Sequence, residues 1–491
     1  MKSGRPLSLT KQEFIKNSEA GFIPPLYSEI RYVSPDELYP VFAGSNSFIF
    51  ESVKGPLNIA AYSFIGFEPF MVLKAKDNLV EIESEGEKSL TITKPLKRLG
   101  DILFNYLQKP ADELPPFQGG AAGMISYDFV HYLERLPKTT ADDLRIPDAH
   151  FFIIDRLIAF DHKEKKAWAI VIPGLRKREF NPSLSYDEAE QCLNDVCARI
   201  ESGNPVVRHE AVQKIDIVHE MKKDTYMDMV KRAKEYIAAG DIFQANLSQR
   251  VSAYIGGLNP WSLYKLLRVI NPSPFAGYID FCDYQIVSSS PERLVRVKDR
   301  VIETRPIAGT RPRGKNQNED RKMREELLLN EKERAEHIML IDLERNDIGK
   351  VADYGSVSVD ELMITEDYSH VIHIVSNVRG DLVSNKTSLD VIKAVFPGGT
   401  ITGVPKVRCM EIIDELEPVR RGPYTGSMGY IGFSGNMDLN IIIRTFVVRE
   451  GYAYIQAGAG IVADSDPERE YHETLKKAEA LIRTLEMGSS G

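Results

Sequence analysis

Cysteine is scarce in this chain, and long apolar runs are missing. The 491 residues hold four cysteines, Cys192, Cys197, Cys282 and Cys409, and no two stand in a CxxC spacing. That provides no thiolate frame for zinc and no dense disulfide scaffold; it suits thiols kept reduced in the cytoplasm. The longest apolar runs, such as HFFIIDRLIAF, fall far short of the roughly 18–20 residues that a membrane-spanning helix needs. The first twenty residues interleave Lys2, Arg5, Lys11, Glu13, Lys16 and Glu19, which is not the pattern of a secretory leader. No excess of positive charge exists to face a polyphosphate: 62 basic residues stand against 71 acidic ones, for a net charge of −9, spread rather than blocked. Neither a GxGxxG nor a Walker loop occurs, which disfavours a nucleotide. Solenoid-length repeats and low-complexity segments are absent as well. The terminal GSSG is left out of the fold reasoning. A protein without nucleic-acid or membrane partners is expected.

What is present is a large apolar inventory, 43% of the chain, enough for one big core. The N-terminal stretch is rich in short β-prone segments (SFIFESV, YSFIGFEPFMVLKA, LVEIES, HFFIIDRLIAFDH, KKAWAIVIPG), with GDILFNYLQK as a helix between them. Residues 175–222 change character: YDEAEQCLNDVCARIES has helical spacing and GNPVVRHEAVQKIDIVHE reads as a linker. A second strand-rich stretch then alternates with helices, among them 260–270, 318–340, 388–396, 405–416 and 467–487. The expected fold class is therefore α+β, a layered sandwich of strands with helices outside. Its two regions are 22–172 and 223–487.

Polar clusters at the ends of apolar elements need explaining. Glu292 directly follows the strand of SSSPERL. Glu333, Glu336 and His337 lie within one turn of NEKERAEHIMLIDLERND, and Glu333 and Glu336, at i and i+3, share a face. Glu470, Glu473 and Lys477 share a face of the last helix. Two helices that each present a glutamate pair are able to meet around a cation, and carboxylate ligation suits Mg²⁺; the same spacing also describes solvated helix faces. His370 and His373, three apart on a strand, point to opposite faces. Arg444, in the middle of the apolar strand LNIIIRTFVV, must be paired or bound to an anion, because burying it alone is costly. Gly458 and Gly460 in QAGAGIV offer backbone N–H groups to a small anion. Together these describe a pocket for a small dicarboxylate held partly through a metal.

The motifs IAAGDIFQANLSQR, SSSPE, ETRPIAGTRPRG, NEKERAEHIMLIDLERNDIGKV, YSHVIHIVS, FPGGTITGVPK, RGPYTGSMGYIG, LNIIIRT and QAGAGIVADSDPEREYHET resemble the chorismate-binding enzymes in the group of anthranilate synthase and aminodeoxychorismate synthase component I. The likeness runs from about 225 to 485 and is weaker before that, in FIFES, YSFIGFEP and FQGGAAGMISYD. It implies a single large two-layer α/β sandwich of the anthranilate synthase component I type. It further implies a Mg²⁺ cofactor and chorismate as substrate. Glu336 and Glu473 would ligate the metal with Glu333 and Glu470 in support. Arg444, Tyr424, Gly458 and Gly460 would hold the enolpyruvyl carboxylate, with Lys477 nearby. Glu292 would help the C4 hydroxyl leave, His373 would be the family's histidine, and Thr400 would lie beside the ring carboxylate.

Relatives that add water carry a lysine where this chain has Gln244, so ammonia is the expected nucleophile and isochorismate or salicylate synthesis is disfavoured. Ammonia would come from a separate glutamine amidotransferase subunit in a hetero-oligomer, since no cysteine here sits in a GxCxG elbow. Two products then compete. Ala308 follows the anthranilate synthase pattern, where many aminodeoxychorismate synthases carry a lysine. Glu51 and Ser52, after Phe50, resemble the tryptophan-binding motif of anthranilate synthase; with Pro274 and Phe275 they would form a tryptophan pocket. Asn246, NPSPFAGYI with Ala276, SSSPER, PGGTITG and DLNIIIRT resemble aminodeoxychorismate synthase instead. The balance of motifs favours aminodeoxychorismate; anthranilate plus pyruvate is the alternative, and a catalytically dead sensor of an aromatic ligand is the third reading.

Overall fold

The computed structural model describes residues 7–56, 59–106, 108–176, 179–203, 215–314, 316–367 and 371–488. Two antiparallel sheets of twelve strands each dominate it. Both sheets draw on both ends of the chain. In the first, Ser47–Glu51 pairs with Phe275–Asp280; in the second, Gly120–Ile125 pairs with Ser427–Gly432.

Strands with alternating inward apolar residues must bury that face, and here the two sheets bury it partly against each other. Phe48, Phe64, Phe117, Phe152, Trp168, Ile279, Met428 and Tyr430 form the shared core between them. Helices cover the outer faces. Pro182–Ser202, Pro260–Ile270 and Pro467–Gly488 lie over the first sheet, adding Leu193, Leu263 and Leu481 to a second core. Pro95–Leu103, Lys223–Ala238, Ser388–Val395 and Lys406–Leu416 contribute Leu99, Val230, Ile392 and Ile413 to a third. The α+β sandwich expected from the segment pattern is the observed architecture. Among the described residues no helix is long and apolar enough to cross a membrane.

Several boundaries differ from expectation for local reasons. YSFIGFEPFMVLKA is two strands, Tyr62–Gly66 in one sheet and Met71–Lys76 in the other, because Glu68 turns the chain at φ 49°. The single charged helix near 318–340 is two, Gln317–Leu329 and Glu331–Gly349. Asn330 ends the first and caps the second, its side chain accepting from the Glu333 N–H.

The most consequential difference lies at LNIIIRTFVVRE, which is not one strand. Met437–Asn440 belongs to the second sheet and Thr445–Arg449 to the first. Residues 441–444 are the crossover between them. A second crossover runs the other way beside it, from Tyr284–Ser290 in the first sheet to Arg293–Lys298 in the second. Ile441 N donates to Glu292 O at 3.0 Å, Ser289 N to Arg444 O at 3.1 Å, and Ser290 Oγ to Ile441 O at 2.6 Å. A chain leaving one sheet for another frees its backbone from the ladder and turns side chains into the gap. Here it turns in Glu292 and Arg444.

Candidate active site

Arg444 therefore sits on a crossover and not inside a strand, with φ 53°, a left-handed conformation that costs about 1–2 kcal/mol for a side-chain-bearing residue. One of its guanidinium nitrogens donates to the Lys477 carbonyl. Burial pushes its pKa down, partly offset by the Tyr424 phenol. No described carboxylate forms an ion pair with it. A half-buried cation that the described residues leave without a counter-charge is suited to receive an anion.

Glu292 faces the same space. It is 8% exposed. Burial lifts its pKa to about 7, against the Thr400 hydroxyl, which donates to its Oε1 at 2.9 Å, and the Lys477 charge. A carboxyl that holds its proton near neutrality serves as a general acid. Thr400 lies in FPGGTITGVPK, on the short turn Gly399–Ile401, and its loop position is what brings the hydroxyl to the acid.

The floor of the pocket is the pair of strands Gln244–Tyr254 and Tyr452–Ile461. Gly460, paired with Asn246, and Gly458, paired with Ser248, lie diagonally beside the Gln244 and Asn246 side chains, and there is no room there for more than glycine. A Cβ on Gly460 would lie 2.4 Å from Gln244 Nε2; one on Gly458 would lie 2.4 Å from Asn246 Oδ1 and 2.8 Å from the Tyr424 hydroxyl. Lys477 Nζ donates to Gly458 O at 3.0 Å and pairs with Glu473 at 2.8 Å. His373, on Val371–Asp381, hydrogen-bonds through Nδ1 to the Gly309 carbonyl and the Thr310 hydroxyl, both at 3.1 Å. The carbonyl only accepts, so Nδ1 carries the proton. Burial and the Arg444 charge lower the histidine's pKa, so it is a neutral ring. Gly309 itself takes φ 62° at a bulge after Ala308, in Ile307–Pro312, and this aims its carbonyl at the ring. His370 lies outside the described residues.

The two glutamate-bearing helices do converge. Glu336 feels the charges of Glu333, Asp464 and Glu473, and its pKa is raised, chiefly by burial. Glu470 is raised by burial first and by Glu473. Lys332 pairs with Asp464, in the turn before the last helix, at 2.9 Å, and Arg311 bonds Glu333 at 3.1 Å. Among the described residues no group of three or more metal-ligating side chains is preassembled. Glu336 and Glu470 each still feel the Glu473 charge, partly offset by Lys332 and by Lys477, which pairs with Glu473 at 2.8 Å. That donor set fits a hard, oxygen-seeking cation.

Glu344, one turn before the end of Glu331–Gly349, escaped sequence reasoning. Burial, with Glu292 and Asp347 adding to it against Thr304 and Lys406, raises its pKa to about 8. Its signal was a charged residue on the same helix side as Leu340 and Ile348.

Glu51, Ser52, Pro274 and Phe275 lie elsewhere, lining an apolar cavity between the sheets with Phe50, Tyr62, Met428 and Tyr430. Ser52 Oγ donates to Pro274 O at 3.2 Å. Glu51 is turned into an ion pair: Arg268 reaches both its oxygens at 2.8–3.1 Å and the Tyr264 hydroxyl donates at 2.7 Å.

The family model described as "chorismate binding enzyme" matches residues 46–483. The chain belongs to the chorismate-binding enzymes. Among curated relatives, aminodeoxychorismate synthase component 1 of Bacillus subtilis is 44% identical over 440 residues, covering 89% of this chain and 91% of that one. Anthranilate synthase component 1 of Acetivibrio thermocellus is 42% identical over 459 residues, covering 92% and 93%. Among solved structures, anthranilate synthase component I from Streptococcus pneumoniae superposes with a TM-score of 0.77 at 36% identity, covering 86% of this chain and 92% of its own. The protein is an enzyme acting on chorismate, and relatives with two different products resemble it about equally.

Proposed function

We propose that this chorismate-binding enzyme aminates chorismate with ammonia, to give 4-amino-4-deoxychorismate. The observation that carries the amination is Gln244 at the head of its strand, against Gly460: a carboxamide with no basic nitrogen stands where activation of water calls for a base. Ammonia needs no base to become a nucleophile. Arg444, with Tyr424 and the backbone at Gly458 and Gly460, receives the enolpyruvyl carboxylate. Glu292, its proton held by burial, protonates the departing C4 oxygen while Thr400 fixes its carboxyl. His373 packs against the cationic end of the pocket as a neutral ring. Glu336 and Glu473, with Glu333 and Glu470 beside them, would hold Mg²⁺, which when bound offsets the charge of the ring carboxylate as a Lewis acid.

The aminodeoxychorismate reading rests on Asn246, Ala276 and the surrounding motifs. Ala308, which offers no amine for a covalent adduct, and the Ser52 cavity favour anthranilate plus pyruvate. Component 1 in the names of both relatives supports a separate amidotransferase partner that supplies the ammonia. The deciding experiment incubates the protein with chorismate, Mg²⁺ and ammonium and separates the products with mass detection. Aminodeoxychorismate supports the reading; anthranilate with pyruvate replaces it; no product from folded protein favours a sensor.

A further inference from the structure

Chorismate at neutral pH is a dianion, and its C4 hydroxyl is the sole hydrogen-bond donor it carries. Most of the groups that surround it are cations, N–H groups or hydroxyls; the exceptions are the Glu292 acid that addresses that hydroxyl, the neutral His373 ring and the Gln244 carboxamide. Asn246 breaks the pattern. It is 8% exposed, and its Oδ1 is buried without a hydrogen-bond partner among the described residues. Its backbone leaves it little freedom to turn away: the N–H donates to Thr402 O at 2.8 Å and the carbonyl accepts from Arg421 at 2.6 Å. The glycine at 458 keeps open the space between this oxygen and the Tyr424 hydroxyl. A buried acceptor left unpaired is costly, and a ligand that brings N–H groups removes the cost.

We propose that Asn246 Oδ1 is the acceptor that holds the incoming ammonia. Of the reactants, ammonia alone carries N–H groups; bound through one of them, it keeps its lone pair free for the ring. In the step that follows, the lone pair forms the C–N bond at C2, the ring double bond shifts and the C4–O bond breaks. The hydroxyl leaves as water with the proton of Glu292, and the proton shed by the new ammonium nitrogen restores the balance. The inference rests on ammonia as the nucleophile and holds for either product: the 2-amino adduct loses pyruvate to give anthranilate, whereas the 4-amino product needs a second ammonia, which forms a C–N bond at C4 as the ring double bond shifts back and the C2 nitrogen leaves as ammonia.

The test is ammonium-driven turnover of chorismate with Mg²⁺, comparing wild type with Asn246→Leu, which keeps the size and removes the acceptor. The KM for ammonium should rise about tenfold or more while the KM for chorismate stays within about twofold. The ligand-free variant should melt no lower than wild type, because an unpaired buried oxygen is gone; Asn246→Ala serves if the leucine disturbs the fold. An unchanged ammonium KM in an enzyme that uses ammonium would overturn the role of Asn246 alone. So would a rise confined to the chorismate KM, which would put the amide nitrogen on a substrate carboxylate. A wild-type protein that forms no ammonium-dependent product would overturn the ammonia reading and this inference with it.

Discussion

Two of the protein's pockets treat charge differently. In the apolar cavity between the sheets, burial raises the pKa of Glu51, but Arg268 and Tyr264 oppose the rise and complete its hydrogen bonds. In the polar pocket at the crossovers, Arg444 has no carboxylate and Asn246 Oδ1 no donor among the described residues, and Glu292 and Glu336 are held above the usual carboxyl range by burial. A satisfied ion pair stabilises the fold around it. An unsatisfied one stores a cost that only a ligand relieves, so the difference marks which pocket is built for a charged substrate.

The sharpest way to break that contrast is Glu292→Gln, which keeps the hydrogen-bonding shape and removes the proton. Turnover should fall by roughly 10²–10⁴-fold with chorismate binding retained. In wild type, kcat/KM should decline as pH climbs through about 7, where the acid ionises. Stability should follow the same sign. Between the ordinary value of 4.5 and about 7 the native carboxyl keeps a proton that the unfolded chain has lost, so stability declines with rising pH across that window. Glu292→Gln should flatten that decline, measured as melting temperature against pH. An unflattened profile would mean that the carboxyl is ionised in the native protein. Next in size, Arg444→Ala should raise the KM for chorismate by roughly 10–10²-fold, the loss of a charge-assisted contact. An unchanged KM would make Arg444 a structural residue and erase the difference between the pockets.

The sandwich was legible in the sequence because alternation and turn residues report on each strand separately. The glutamate pairs of the two helices were legible because i,i+3 spacing survives any tertiary arrangement. The crossovers were not. An apolar run such as LNIIIRTFVV looks the same whether it stays in one sheet or passes between two, and the backbone that frees Arg444 depends on Ile441 and Ser289 meeting a neighbouring crossover. Glu344 was hidden for a similar reason: Leu343 packs over Gly399 on the turn that carries Thr400, and tertiary packing of this kind brings the next residue near Glu292. The unpaired oxygen of Asn246 is equally invisible until the strands pair.

From the other pocket, Glu51→Gln should leave turnover unchanged and cost about 2 kcal/mol of stability, since Arg268 loses its charged partner and keeps only Asp36 at 2.9 Å. Denaturant titration measures it. A loss of turnover with stability intact would show that the apolar cavity reports to the active site.

The smallest effect belongs to Glu344, whose pKa of about 8 lies above that of Glu292. Burial keeps the Glu344 carboxyl neutral at pH 7, and the charge that Glu292 gains on ionising adds to that. Glu344→Gln should therefore leave the first decline of kcat/KM near pH 7 where it is. Above about pH 8 the variant should lose kcat/KM more steeply than wild type, in which the charge that forms on Glu344 opposes the ionisation of Glu292. At pH 7 the variant and wild type should differ by less than about twofold. A pH–rate profile with the same steepness in both would mean that Glu344 only fills space beneath the threonine loop. The unbalanced charge of the polar pocket would then be confined to the groups that meet the substrate directly.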